Sequence, residues 1–163
     1  MMLFSTELTL RTTKNGVRLF SKPIQEIEKL QSLKVQKSDI SIAKANETMQ
    51  AYNNESCLRI RTTIKLSHAT GAGLSLYGQN LLDYDMNGNR VNRVFYSPED
   101  MTSMEITADI ILDKTSVEVF IDGGAYSYSM QRKADPKNQK GFNFFGHNIE
   151  IKNLEVYKLQ SIW

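Results

Sequence analysis

Three runs of this chain alternate apolar and polar side chains with a period of two, and a chain patterned in this way has few options other than antiparallel sheet. Leu58, Ile60, Thr62, Ile64 and Leu66 alternate with Cys57, Arg59, Arg61, Thr63 and Lys65. Met104, Ile106, Ala108, Ile110 and Leu112 repeat the pattern, and in a third run Val117, Val119 and Ile121 fall on one face with Glu118 and Asp122 on the other. Period two belongs to a strand with one face in a core and one in water. Only Asp113, Lys114 and Thr115 separate the second run from the third, which predicts a tight hairpin. The third run ends at Asp122-Gly123-Gly124, where glycine can take positive φ and the chain can reverse. This reading puts the Val117 run centrally in a sheet, with Glu118 facing solvent or a partner domain.

Further strands follow from the same rule. Leu8, Leu10 and Thr12 alternate with Glu7, Thr9 and Arg11 before Asn15-Gly16, a strong short-range hairpin signal leading into Val17-Arg18-Leu19-Phe20. Asn87-Gly88, between Leu81 to Tyr84 and Val91 to Tyr96, predicts a second hairpin with a primed turn. The last run changes phase, because Ile149 and Ile151 share one parity and Leu154 and Val156 the other. A bulge near Asn153 would restore the facing. One helical piece stands out, Pro23 to about Gln31, with proline in the first turn, Glu26 and Glu28 near the start, and Ile24, Ile27 and Leu30 three residues apart. Many short strands without alternating helices predict an all-β fold, a two-sheet antiparallel β-sandwich of jelly-roll or concanavalin type, with one short helix near the N-terminus. At 163 residues, residues 1–163 fit a single domain that buries roughly 70% of the surface its unfolded chain exposes.

Composition removes several function classes. A formal charge of +2, with Lys and Arg scattered among Asp and Glu, provides no electrostatic pull toward nucleic acid or a membrane surface. Cys57 is the only cysteine, which excludes an internal disulfide and a multi-cysteine metal site, and its place beside a strand suggests a packed thiol. No apolar run approaches the roughly 18 residues of a membrane span, and the first residues lack the charged and apolar regions of a signal peptide.

Candidate chemistry is sparse. Asp83 to Asn89 imitates the start of an EF-hand loop, but position twelve is Val94 where a bidentate Glu is required. Glycoside hydrolysis needs two carboxyls flanking the bond. Asp83, Asp85, Asp109, Asp113 and Asp122 fall in turns or on outward positions, where acids serve solubility, and no pair among them stands out. His68 and His147 each lack a neighbouring metal ligand, and no G-x-S-x-G nucleophile elbow occurs. The expectation is no catalytic residue, no metal ligand and no cofactor. Exposed aromatic faces can stack on sugar rings. Tyr77, Tyr84, Tyr96 and Trp163 are candidates, and Tyr126 and Tyr128, which share parity after the glycine turn, are the best placed if their side is solvent. Asn46-Glu47-Thr48 and Asn54-Glu55-Ser56 match the N-glycosylation tripeptide.

Two stretches carry a resemblance. Ser116 to Gly124 and the N-terminal run through Glu7-Leu8, Gly16-Val17-Arg18-Leu19 and Pro23 to Leu30, with Tyr84-Asp85 before the Asn87-Gly88 turn, resemble the C-terminal β-sandwich of glycoside hydrolase family 32, the levanases, inulinases and invertases that split β-fructosyl bonds. The resemblance spans nearly the whole chain. It departs from the family at Ser5-Thr6, where Pro-Arg is usual, and around Arg93 to Ser97, where an Asp-Arg-Ser segment is usual. The family's catalytic motifs, Asn-Asp-Pro-Asn, Arg-Asp-Pro and Glu-Cys, sit in an N-terminal propeller and do not occur here, since Asp135-Pro136 follows Ala134 and Cys57 follows Ser56.

The resemblance therefore implies a non-catalytic accessory module of a fructan- or sucrose-acting hydrolase, beginning near where the linker from the propeller ends. Its implied partner is the catalytic propeller of the same parent chain, with a homo-oligomer and a fructan or other carbohydrate as further possibilities, and the implied parent is extracytoplasmic. The rival reading is an autonomous carbohydrate-binding module that uses surface aromatics.

Overall fold

The structure is a computed structural model and describes residues 4–67, 69–96, 104–133 and 141–160. His68, Ser97, Asp135, Pro136 and Trp163 lie outside the described residues. Along the chain run β1 (Thr6–Thr13), β2 (Gly16–Pro23), a 3-10 helix (Gln25–Leu30), β3 (Gln31–Ile40), α1 (Ile42–Met49), β4 (Leu58–Lys65), β5 (Gly71–Leu76), β6 (Gln79–Asp85), β7 (Arg90–Val91), β8 (Val94–Phe95), β9 (Glu105–Leu112), β10 (Ser116–Ile121), β11 (Tyr126–Gln131), β12 (Phe142–Gly146) and β13 (Glu150–Leu159). They form a six-stranded sheet of order β11-β10-β9-β4-β13-β3, a five-stranded sheet of order β12-β5-β6-β7-β8, and a separate ribbon of β1 and β2. Every described pairing is antiparallel. This is the two-sheet all-β sandwich expected from the alternation.

The facing of the three diagnostic runs is as read. Leu58, Ile60 and Ile64 from β4, Ile106, Ile110 and Leu112 from β9, and Val117, Val119 and Ile121 from β10 are all fully buried between the sheets, where they meet Leu74, Leu82 and Phe144 of the facing sheet. Full burial contributes roughly 1.5–3 kcal/mol for each such side chain. The phase change in the last strand is also resolved as expected, because the β13–β4 register shifts between Ile151 and Asn153 and brings both Ile151 and Leu154 into the core. A second shift, against β3, follows Val156.

Four expectations need correction. The Val117 strand lies one position in from the edge, between β9 and edge strand β11. Its outer face is not solvent: Glu118 is buried, because the chain entering the ribbon and the 3-10 helix cover that side of the sheet. Ile27 of the 3-10 helix packs there with Ile111, Phe120 and Leu159, forming a small second core joined by Phe4 and Cys57. The helical piece is shorter than Pro23 to Gln31 and winds as a 3-10 helix, in which residues three apart eclipse; Ile24, Ile27 and Leu30 suit that repeat. The third correction is α1. Ser41 caps its N-terminus by accepting the Lys44 N–H at 3.3 Å, and Ala45 and Met49 are fully buried.

The fourth correction concerns the second hairpin. Asp85 pairs with Arg90, so the loop has four residues, Met86 to Asn89, and the residue with positive φ is Asn89. The tight primed turn comes one step later, at Asn92 and Arg93, both at positive φ, between β7 and β8, which pair through Val91 and Val94.

Candidate functional site

The ribbon presents two different faces. Its register pairs Leu8 with Ser21, Leu10 with Leu19 and Thr12 with Val17 on one side, and there Leu8, Leu10, Val17 and Leu19 are 59%, 72%, 67% and 56% exposed. The other side pairs Glu7 with Lys22, Thr9 with Phe20 and Arg11 with Arg18 and turns toward the sandwich. Phe20 is buried, and the Arg11 guanidinium lies 4.4 Å from the centre of its ring. Gly124, at φ +94°, fixes the seat of the ribbon: a Cβ there would overlap the Ser21 carbonyl of β2, so only glycine lets the turn after β10 approach so closely.

Beneath the inward side runs a groove of about 340 Å³ between the ribbon, the 3-10 helix and the outer face of the six-stranded sheet. Its wall is an ion-pair lattice. Arg59 is buried and donates from Nε and Nη2 to the two Asp109 oxygens at 2.9 and 2.6 Å, and from Nη1 to Gln31 at 2.9 Å. Arg61 donates to Glu28 at 3.0 Å, lies 3.6 Å from Asp109 and stands over the Tyr157 ring. A buried guanidinium with a two-point carboxylate partner is held in a fixed orientation. Asp109 is therefore not the solubilising acid that its outward position in the sequence implied.

Asp122 is likewise committed. From a positive φ of 48° it accepts the Tyr96 hydroxyl at 2.6 Å and both the N–H and the hydroxyl of Thr107 at 2.9 and 3.1 Å, tying β9 to the end of β8. Glu118 accepts the Phe4 N–H at 2.6 Å, and burial pushes its carboxyl above the usual range, the backbone hydrogen bond opposing that only in part. Asp113 accepts from the Cys57 thiol at 3.5 Å, Asp83 accepts from Asn80 at 2.9 Å, and Asp85 accepts the Asn87 N–H inside its loop. Among the described residues no group of three His, Cys, Asp or Glu side chains could hold a metal, and no helix is long and apolar enough to cross a membrane.

Tyr126 and Tyr128 come together as their parity implied, with ring centres 5.5 Å apart, and Tyr96 stacks on Tyr126 at the same distance. Their side is not open solvent. Tyr126 pairs with Ile121 and Tyr128 with Val119, so both rings lie on the core-facing side of β11, half-buried against the main core. The Tyr128 hydroxyl donates to the Leu81 carbonyl at 2.7 Å, and burial raises its pKa far above the ordinary range. Tyr84 is buried in the core, and Tyr77 donates to the Asn53 carbonyl at 2.8 Å.

Asn46 stands out in the sequence only as part of a glycosylation tripeptide, but its amide has a structural task. It accepts the Phe144 N–H at 2.6 Å and donates to the Phe144 carbonyl at 3.0 Å, while Asn53 accepts the Phe142 N–H at 2.8 Å. These side chains supply edge strand β12 with the partners a neighbouring strand would otherwise provide. The available signal was Ser41 before Ile42, Ala45 and Met49, which places Asn46 on the inner turn of a capped helix.

Comparison with known proteins places this architecture. No protein-family model matches the chain. It is 21% identical over 182 residues to a levanase of Bacillus subtilis, covering 96% of this chain and 27% of that protein, and 24% identical over 184 residues to a levanase of Bacillus sp., covering 96% and 20%. Among solved structures, the exo-inulinase of Aspergillus awamori superposes with a TM-score of 0.66 at 12% identity, covering 97% of this chain and 35% of that one. The β-fructofuranosidase of Schwanniomyces occidentalis gives 0.61 at 11% identity, covering 98% and 40%. The chain thus spans about a quarter of the length of the levanases it matches. Over nearly its whole length it is similar to a part of the levanases and shares its fold with a part of the glycoside hydrolase family 32 fructosidases, as the motif resemblance implied.

Proposed function

We propose that this chain is the accessory β-sandwich of a β-fructosidase, without a catalytic role of its own, and that the apolar face of the ribbon seats against the catalytic propeller of the same parent chain. The carrying observation is that face: four large aliphatic side chains, each more than half exposed, on one side of a two-stranded ribbon. A contiguous apolar patch on an otherwise mixed surface marks a surface that is covered in use, and an isolated two-stranded ribbon is marginal in water unless something packs on it. The occupant is a catalytic domain of the parent because the relatives extend well beyond the region matched here. The acids also support a non-catalytic role, since Asp109 and Asp122 are held by Arg59, Tyr96 and Thr107, which leaves neither free to protonate or attack a glycosidic bond.

The test has two arms. The purified chain releases no fructose from sucrose, inulin or levan, and turnover that disappears on substituting one of its carboxylates contradicts the reading. Expressed separately, the catalytic part of the parent forms a one-to-one complex with the chain in sedimentation velocity, and the complex is lost with Leu10→Asp/Leu19→Asp. A complex that the double variant leaves intact contradicts the assignment of the ribbon face, as does a self-associated dimer in place of the complex.

A further inference from the structure

We propose that the groove beneath the ribbon binds a neutral, polyhydroxylated ligand, a single sugar unit or the end of a saccharide chain. At about 340 Å³ it falls at the small end of the range for small-molecule sites. Its charged side chains are three basic (Lys22, Arg59, Arg61) and three acidic (Glu7, Glu28, Asp109), so no net field favours an anion or a cation. The guanidiniums of Arg59 and Arg61 already engage Asp109 and Glu28, and a charged ligand that engaged these groups would have to break those pairs, at Arg59 leaving a buried charge alone. A neutral ligand need not, and paired charges that keep lone pairs or N–H groups at the groove surface can still accept from or donate to it.

Unused hydrogen-bonding capacity lies on opposite walls. Among the described residues, the side chains of Glu7, Lys22 and Gln25 on the ribbon side and of Thr63 on the sheet make no hydrogen bond or ion pair. An acceptor, a donor, an amide and a hydroxyl together match vicinal sugar hydroxyls, each of which both donates and accepts. Pro23 and Phe120 add apolar surface to the same lining, suited to the C–H face of a ring. The walls are held before any ligand arrives, by the Arg59–Asp109 pair on the sheet and by the close approach of Gly124 to Ser21. On the sheet side binding therefore involves little ordering cost.

This site does not depend on the tyrosines Tyr126 and Tyr128. It also does not depend on the ribbon's outer face, although the choice of fructosyl ligands for the test rests on the proposed function.

The experiment is amide NMR of the whole chain titrated with fructose and short levan oligosaccharides up to about 100 mM, a range that reveals dissociation constants of order 10 mM. Shifts are expected at Lys22, Gln25, Thr63 and Thr107. Thr63→Val and Gln25→Ala, both at partly or fully exposed positions, should each weaken binding by about five- to tenfold, the loss of one neutral hydrogen bond, with the rest of the spectrum unchanged. Absence of shifts overturns the proposal, as do shifts centred on Tyr126 and Tyr128, or tighter binding of fructose 6-phosphate than of fructose. A chain that still forms the one-to-one complex while showing no shifts retains the proposed function and loses only this site.

Discussion

Strand β4 and the β1–β2 ribbon have nearly the same pattern and opposite surroundings. Along β4 each second residue is aliphatic or threonine, and Leu58, Ile60 and Ile64 are fully buried. On the ribbon the apolar positions alternate just as regularly, yet Leu8, Leu10, Val17 and Leu19 are more than half exposed. Alternation specifies a strand and assigns its side chains to two faces. It does not specify what covers a face. For β4 the cover is the facing sheet of the same chain; for the ribbon, on our account, it is another part of a larger enzyme.

Substitutions that place the same charge in the two settings sharpen the contrast. Val119→Asp comes first because Val119 is fully buried between Ile110 and Tyr128 of the neighbouring strands, in a core cluster that holds no cationic side chain among the described residues. Burying an unpaired carboxylate costs several kcal/mol, a large share of the stability of an ordinary domain, so the variant should be mostly unfolded by circular dichroism at room temperature. A folded Val119→Asp would mean that the facing of β10 is inverted.

The next effect lies on the outer side of the same sheet. Asp109→Ala leaves the Arg59 guanidinium buried without its two-point partner and should cost about 3 kcal/mol in urea unfolding. A loss within about 0.5 kcal/mol would class the pair with ordinary surface contacts.

Glu118 tests whether that outer face is truly covered. Burial raises its carboxyl pKa in the folded chain, so the native state holds the proton more tightly than the unfolded state. As pH rises above the unfolded value of about 4.3, the unfolded chain ionises first and stability falls until the folded carboxyl has also ionised; above that the penalty is constant. Glu118→Gln keeps an oxygen for the Phe4 N–H and removes the penalty. It should be at least as stable as the parent chain at pH 7, with the advantage vanishing below about pH 4. An advantage that persists unchanged at low pH would show that titration of Glu118 is not its source.

The smallest effect belongs to the ribbon. In the isolated chain Leu10→Asp should change stability by no more than about 0.5 kcal/mol, as for a surface position, measured by the same urea titration used for Asp109→Ala. A loss of several kcal/mol would mean that the ribbon face is covered within this chain.

These contrasts also mark what could be read from the sequence. The sandwich, the strand facings, the β9–β10 hairpin and the bulge after Ile151 follow from period and parity, which are local properties. Glu118, Asp109 and Asp122 were misread because an outward parity says nothing about whether a distant segment folds over that face; Phe4 lies 114 residues from Glu118. The groove depends on the same long-range closure, pairing Arg59 with Asp109 fifty residues away, and no spacing rule links those positions. The Tyr126 and Tyr128 parity was right, but the side of the sheet could be settled only by the β10 register. Helix α1 carried a legible cap and apolar spacing and was masked by the surrounding strand signal.

The most direct test of the central claim is hydrogen–deuterium exchange over residues 6–23, measured on the isolated chain and on the chain bound to its separately expressed catalytic part. The account predicts that amides of β1 and β2 exchange readily in the isolated ribbon and slow by at least about tenfold, equivalent to 1.4 kcal/mol of added protection, in the complex, while β4 and β9 change little. Unchanged exchange in the ribbon with new protection elsewhere on the sandwich would contradict it.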